Sequence, residues 1–142
     1  NLERFNLEKY FDLIVGYEEV DFTKQKPNPE GLLTCISEIT DLKNNDSVIY
    51  IGDHITDIEC AHHANDKMNR NAVISILLNY NKHNVTEGWE YKPDYITNVP
   101  KDILEIIYKI LLFIDLNIIF FFNRKYFFIY LIISYRFKYR CF

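Results

Sequence analysis

The chain has 142 residues, of which 16 are basic and 20 acidic, giving a formal net charge of -4. This length suits one domain with a hydrophobic core, because domains of roughly 100 to 150 residues bury about two-thirds of their unfolded surface. The near balance of charges offers no cationic face for phosphate backbones, which excludes nucleic acid as the expected partner.

An apolar run at Phe11–Val15 predicts a strand near the start of the chain. A helix is predicted over Glu30–Ile39, because Asn28 and Pro29 suit its N-cap and first helical position and the apolar residues lie on one stripe. A proline-rich loop therefore joins the first predicted strand to the first predicted helix.

That loop carries the first candidate site residue, Lys26. Pro27 and Pro29 stiffen the chain around it, so the ammonium group would be held just ahead of a helix. A fixed positive charge there could neutralise a phosphoryl oxygen or a carboxylate nucleophile. For any single Lys-Pro pair, an exposed lysine in a turn is the simpler interpretation.

The next elements, a strand at Val48–Ile51 and a helix at Thr56–Ala64, enclose Gly52-Asp53-His54. Asp53 is expected at the carboxyl end of a parallel strand, where α/β sheets bind ligands. Asp57, four positions on, can converge with it, and two carboxylates with several waters suit Mg²⁺. The alternative is that Asp53 is a turn residue and Asp57 favours the helix N-terminus.

His54 lies beside Asp53 and could touch substrate, although a solvated loop histidine is the simpler interpretation. Two further strands, at Val73–Leu77 and Tyr95–Ile96, and a helix at Lys101–Leu112 complete the elements. Continuous apolar strands alternating with helices predict an α/β fold, a doubly wound parallel sheet with helices on both faces.

Composition changes after Pro100: all four glycines and all four prolines lie at or before it, whereas eight of the eleven phenylalanines lie beyond Phe22. We predict a core over residues 1–112 and a hydrophobic, aromatic tail of unclear structure over residues 113–142. Charged residues interrupt the tail, leaving Tyr126–Ile133 well short of the roughly 20 residues of a membrane helix. Membrane insertion is therefore not expected.

Two segments together carry a family resemblance, KPNPEGLL from Lys26 and VIYIGDHITDIECAHHA from Val48. They resemble the third and fourth motifs of the haloacid dehalogenase-like (HAD) hydrolase superfamily, and are most similar to the subgroup with phosphoglycolate phosphatase. The flanking NLERFNLEKYFDLIVGYEEV and WEYKPDYITNVPKDILEII are also similar to family segments. The resemblance covers roughly Leu2 to Ile107 and implies a Rossmann-like parallel sheet.

The resemblance implies Mg²⁺-dependent hydrolysis of a phosphate monoester, a small phosphorylated metabolite, through an aspartyl-phosphate intermediate. Lys26 would steady the nucleophile and the phosphoryl group, Asp53 would bind Mg²⁺, and Asp57 would bind it directly or through water. The family's nucleophile lies in a DxDGT motif that this sequence lacks. The chain therefore resembles the C-terminal part of such an enzyme and is expected to be inactive alone.

Two other functions stay open. A non-catalytic binding or scaffold domain could keep the fold and a metal site; an in-frame DxDGT motif upstream of Asn1 would favour the enzyme, and its absence the scaffold. A receiver-type phosphorylation domain fits less well, because its lysine should follow the acidic site. Without the strand that carries DxDGT, we expect unpaired strand edges and aggregation. The cysteines Cys35, Cys60 and Cys141 lack disulfide or zinc spacing, which favours the cytoplasm.

Overall fold

Three helices and four strands make up the regular structure of the computed structural model, which describes residues 3–15, 20–39, 46–82, 84–119 and 129–133. In chain order they are α1 (Glu30–Ile39), β1 (Ser47–Gly52), α2 (Ile55–Met68), β2 (Val73–Leu78), β3 (Tyr95–Thr97), α3 (Asp102–Ile119) and β4 (Ile129–Ile133). The predicted α/β class is confirmed.

The four strands form one parallel sheet in the order β3-β2-β1-β4. Val48 of β1 is in register with Val73 of β2 on one side and with Tyr130 of β4 on the other. Because β1 has a parallel neighbour on both sides, its carboxyl end is flanked by the carboxyl ends of other strands. Ligand sites of α/β folds are built at this end of the sheet.

Side chains that alternate along β1 separate the core into two layers. Val48 and Tyr50 pack with α1 and α2, whereas Ile49 and Ile51 pack with α3. The cluster on the first face consists of Leu32, Ile36, Val48, Tyr50, Cys60, Ala61, Ala64 and Val73. The second consists of Ile49, Ile51, Ile76, Ile106 and Ile110. Helices therefore cover both faces of the sheet, as the continuous apolar strands predict.

Local signals set the ends of α1 and α2. The Asn28 side chain accepts a hydrogen bond at 3.0 Å from the backbone N–H of Glu30, so Asn28 caps the start of α1 as predicted. The second helix runs past the predicted end at Ala64 to Met68, and Asn69 follows in the left-handed conformation (φ 52°). Asparagine enters that region more readily than most residues, which explains the termination there.

The predicted strand at Phe11–Val15 is wrong, because these residues have irregular structure. Phe11 and Ile14 are exposed, and no strand in the described part of the chain pairs with this segment. Apolar composition favours a strand only where a neighbouring backbone supplies hydrogen bonds and a surface to pack on. Propensity alone therefore misled the sequence interpretation here.

The edge of β1 opposite β2 is occupied, so among the described strands the unpaired edges are those of β3 and β4. The expected aggregation stays a prediction. Residues Ile129–Ile133, within the predicted tail, form β4 and pair with Ser47–Ile51. Their composition, Ile-Tyr-Leu-Ile-Ile, is that of a strand in a parallel sheet.

The preceding helix α3 extends to Ile119, across the predicted boundary at residue 112. None of the helices in the described part of the chain has the length and apolarity needed to span a membrane.

Candidate active site

The turn that joins β1 to α2 is organised by a reciprocal pair of side-chain caps. His54 is the N-cap of α2, and its Nδ1 accepts a hydrogen bond at 3.3 Å from the backbone N–H of Thr56. In return, Oδ2 of Asp57 accepts a hydrogen bond at 3.0 Å from the backbone N–H of His54. This capping box sets the path of the chain between the end of β1 and the helix, and so places Asp53 at the sheet edge.

The Asp57 carboxylate is the centre of the site and is fully buried. Its Oδ2 accepts hydrogen bonds from the backbone N–H groups of Asp53, at 3.1 Å, and His54, at 3.0 Å. Its Oδ1 accepts a 2.6 Å hydrogen bond from the Nζ of Lys26. Three donors, one of which is the Lys26 cation, compensate the buried negative charge, as a buried carboxylate requires.

Lys26 comes to this position because its loop is tied to α2. The Nδ1 of His63 lies 3.0 Å from the carbonyl oxygen of Pro27, and the Sγ of Cys60 donates to the carbonyl oxygen of Asn28 at 3.6 Å. The Lys26–Pro27 peptide bond is cis. The Lys26 side chain remains 27% exposed, so the ammonium group is held by Asp57 and is still accessible to solvent.

Asp53 differs from Asp57 in being exposed. No residue that the structure describes donates a hydrogen bond to its carboxylate. The carbonyl oxygen of Asp53 accepts a 2.9 Å hydrogen bond from the Nδ2 of Asn84. Asn84 is itself held by the buried Asn79 after β2, whose side chain both donates to and accepts from its backbone at 2.9 Å. The two asparagines therefore hold the backbone of the turn and leave the Asp53 carboxylate open to solvent.

Sequence reasoning gave neither asparagine a role at the site. Asn79 directly follows β2 at the carboxyl end of the sheet, and this position is the signal that could have indicated it. The link from Asn84 to Asp53 spans 31 positions, and no local pattern predicts it.

Gly52 is required for close approach rather than for an unusual backbone angle, since no glycine among the described residues has a positive φ. A Cβ atom at this position would lie far inside van der Waals distance of the Asp57 side chain, only 2.6 Å from Oδ2. The absence of a side chain at Gly52 therefore lets Asp57 fold back over the end of β1 and reach the turn.

The residues present fit Mg²⁺ by their chemistry. Asp53 offers a solvent-facing carboxylate, and Mg²⁺ is commonly held by one or two carboxylates while keeping several waters. Asp57 is engaged by three protein donors, so it suits a contact through water better than direct coordination. Within the described residues, no group of three or more histidine, cysteine, aspartate or glutamate side chains could form a metal cage.

The structure thus brings together all four candidate site residues at one edge of the sheet: Lys26, Asp53, His54 and Asp57. The Nδ1 of His54 accepts from Thr56 in capping α2, and the contact of His54 with substrate stays a prediction. Binding of Mg²⁺ by Asp53 and Asp57 and of phosphate by Lys26 also stay predictions. On the outer side of α2, His62 and His63 pack against Tyr91.

Cys60 lies beneath the loop of Lys26, and its burial raises the pKa of the thiol to about 12. Because the thiolate is the reactive form, we expect Cys60 to resist thiol reagents at pH 8 while the protein is folded and to react once it is unfolded in urea. Peptide mass spectrometry after labelling measures this directly. A Cys60→Ala variant identifies the signal, and rapid labelling of Cys60 in the native protein would contradict the buried position.

Comparison with protein families finds that residues 1–70 match the family model for haloacid dehalogenase-like hydrolase. The matched region contains Lys26, β1 and the whole turn with Asp53, His54 and Asp57. Comparisons with curated proteins and with solved structures found no match. The family match, on the segment that builds the site, supports a relationship between this chain and the haloacid dehalogenase-like hydrolases.

Proposed function

We propose that this protein acts in Mg²⁺-dependent hydrolysis of phosphate monoesters, similar to phosphoglycolate phosphatases, with a small phosphorylated metabolite as the substrate in the cytoplasm. The observation that carries the proposal is the 2.6 Å ion pair between Lys26 and Asp57. It holds a partly exposed cation beside a turn whose outer carboxylate, Asp53, is open to solvent. A cation and a carboxylate at the carboxyl end of a parallel strand are what binding of a metal and a phosphoryl group needs.

Each residue has a separate task in this proposal. Asp53 is the carboxylate that would hold Mg²⁺, with Asp57 behind it, and the bound ion would supply positive charge against the phosphoryl oxygens. Lys26 contributes a second positive charge whose position is set by Asp57 before any ligand arrives. Preorganised charge of this kind costs no reorganisation when the phosphoryl group reacts.

The sequence lacks the DxDGT motif from which the resembling enzymes draw their nucleophile and general acid. We therefore propose that these 142 residues correspond to the C-terminal part of such an enzyme and bind the metal and phosphate without turnover. Phosphatase assays on the chain with p-nitrophenyl phosphate and Mg²⁺ are expected to show no activity above background.

The first test is Mg²⁺ binding by isothermal titration calorimetry. We expect Asp53→Asn to weaken Mg²⁺ binding at least tenfold, because the amide removes the negative charge from the one exposed carboxylate at the turn. Glu38→Gln is the matched control, since it removes one exposed negative charge from α1 and should leave the affinity unchanged. Equal affinities of the wild-type and Asp53→Asn proteins would exclude Asp53 as the ligand.

A non-catalytic binding domain is the second candidate function, and one observation favours it. The edge of β1 opposite β2 is occupied by β4, an apolar strand that offers no carboxylate for the chemistry. Sequencing the transcript upstream of Asn1 separates the two functions. An in-frame DxDGT motif supports the hydrolase, whereas a transcript that begins near Asn1 supports a binding domain.

A further inference from the structure

Helix α3 has apolar side chains on two opposite faces. One face packs on the sheet through the buried residues Ile106 and Ile110. The other carries Leu104, Tyr108 and Leu112, spaced one helical turn apart and 62%, 65% and 60% exposed. A helix at the surface of a domain ordinarily has a polar outer face, so this second apolar stripe calls for a partner.

Among the side chains of α3 that the structure describes, charged residues border the stripe on one side only. Glu105 and Lys109 are both exposed and lie four positions apart, hence on the same flank of the helix. Within the described residues, no ion pair engages either of them. An acidic and a basic residue one turn apart along one flank make a pattern that is complementary to itself when the helix direction is reversed.

Two copies of α3 can use this complementarity in an antiparallel arrangement. In a two-fold symmetric pair the same flanks of the two helices face each other, and every contact occurs twice. With the axis near Ile107, Glu105 of each copy lies opposite Lys109 of the other. The same register brings Leu104 towards Leu111 and Leu112 of the other copy, so the apolar stripes and the charged flanks match together.

We propose that the outer face of α3, formed by Leu104, Glu105, Tyr108, Lys109, Leu111 and Leu112, binds a second copy of this chain as an antiparallel helix pair. Burial of Leu104, Tyr108 and Leu112 supplies the attraction. The two Glu105–Lys109 contacts between the copies set the direction and register of the helix pair. The proposal does not depend on the function of the site at the turn after β1.

The test measures the mass of the full chain by analytical ultracentrifugation over a range of concentrations. The wild-type protein should form a dimer, and Tyr108→Glu should weaken dimerisation at least tenfold because it places a charge in the apolar stripe of both copies. Val85→Glu is the control, since Val85 is 74% exposed on a loop and should leave the dimer unchanged. A wild-type protein that is monomeric at all concentrations would overturn the proposal.

Charge reversal tests the antiparallel register. Glu105→Lys and Lys109→Glu should each weaken the homodimer about tenfold, because like charges then meet at two contacts. An equimolar mixture of the two variants should form a heterodimer, since both contacts are then attractive. Effects of the substitutions within one helix cannot produce this recovery. A mixture that dimerises no better than either variant alone would overturn the antiparallel arrangement.

Discussion

Replacement of Asp57 with alanine is expected to lower the free energy of unfolding by about 3 to 5 kcal/mol, the usual effect of breaking a buried charged pair. The change removes the acceptor of two backbone N–H groups, those of Asp53 and His54, and the partner of Lys26. A loss of this size is a large fraction of the roughly 5 to 15 kcal/mol that stabilises a typical domain.

Urea unfolding followed by circular dichroism measures this effect, and two further variants show its cause. Asp57→Asn keeps one oxygen that can accept from the two backbone N–H groups, so it should cost less than Asp57→Ala. Asp66→Ala removes an exposed carboxylate from the same helix and should change stability by no more than about 0.5 kcal/mol. If Asp57→Ala were as mild as Asp66→Ala, Asp57 could not be the centre of the turn.

Substitution of Gly52 by alanine should be comparably damaging, at about 3 kcal/mol or more, because overpacking beside a rigid neighbour is at the upper end of its usual range. The added methyl group would meet the Asp57 side chain beginning at its Cβ, an atom that cannot move without the helix. We expect the variant to lose Mg²⁺ binding along with stability, since Asp57 can no longer hold the turn.

Gly88 provides the matched comparison for this substitution. A Cβ atom at Gly88 would meet nothing within 4 Å, and its φ is not positive. Gly88→Ala should therefore leave the urea midpoint within the range of ordinary surface substitutions, about 0.5 kcal/mol. Equal effects at the two glycines would mean that Asp57 does not approach β1 as closely as the structure has it.

The elements of the sheet that depend on local signals could be predicted from the sequence. The helix α1 begins and ends where Asn28, Pro29 and the apolar stripe indicated, and β1, β2 and β3 are each within two residues of their predicted bounds. The strand β4 was not predicted. Its apolar composition suits a parallel strand, but its partner β1 lies about 80 positions earlier and no local signal indicates the pairing. The opposite error occurred at Phe11–Val15, an apolar run that was predicted to be a strand but pairs with no strand in the described part of the chain.

The site was predictable as a set of residues but not as a set of contacts. The turn was indicated by an apolar strand followed by Gly52, Asp53 and Asp57. A constrained position of Lys26 was indicated by the neighbouring prolines, Pro27 and Pro29. The sequence could not show that Lys26 pairs with Asp57, because the contact spans 31 positions. It also left open whether Asp57 is a ligand or a helix cap; in the structure it caps α2 and accepts from three donors, while its contact with a metal stays a prediction.

The proposed Mg²⁺ site lies in the turn after β1, beside a lysine that Asp57 holds in place. Titration of the isotope-labelled chain with Mg²⁺, followed by backbone amide chemical shifts, reports on binding at this turn residue by residue. We predict saturable shifts at the amides of Asp53 and His54, no shift at Glu38 on α1, and loss of the response in Asp53→Asn. Shifts that do not saturate, or that persist unchanged in Asp53→Asn, would contradict a Mg²⁺ site at this turn.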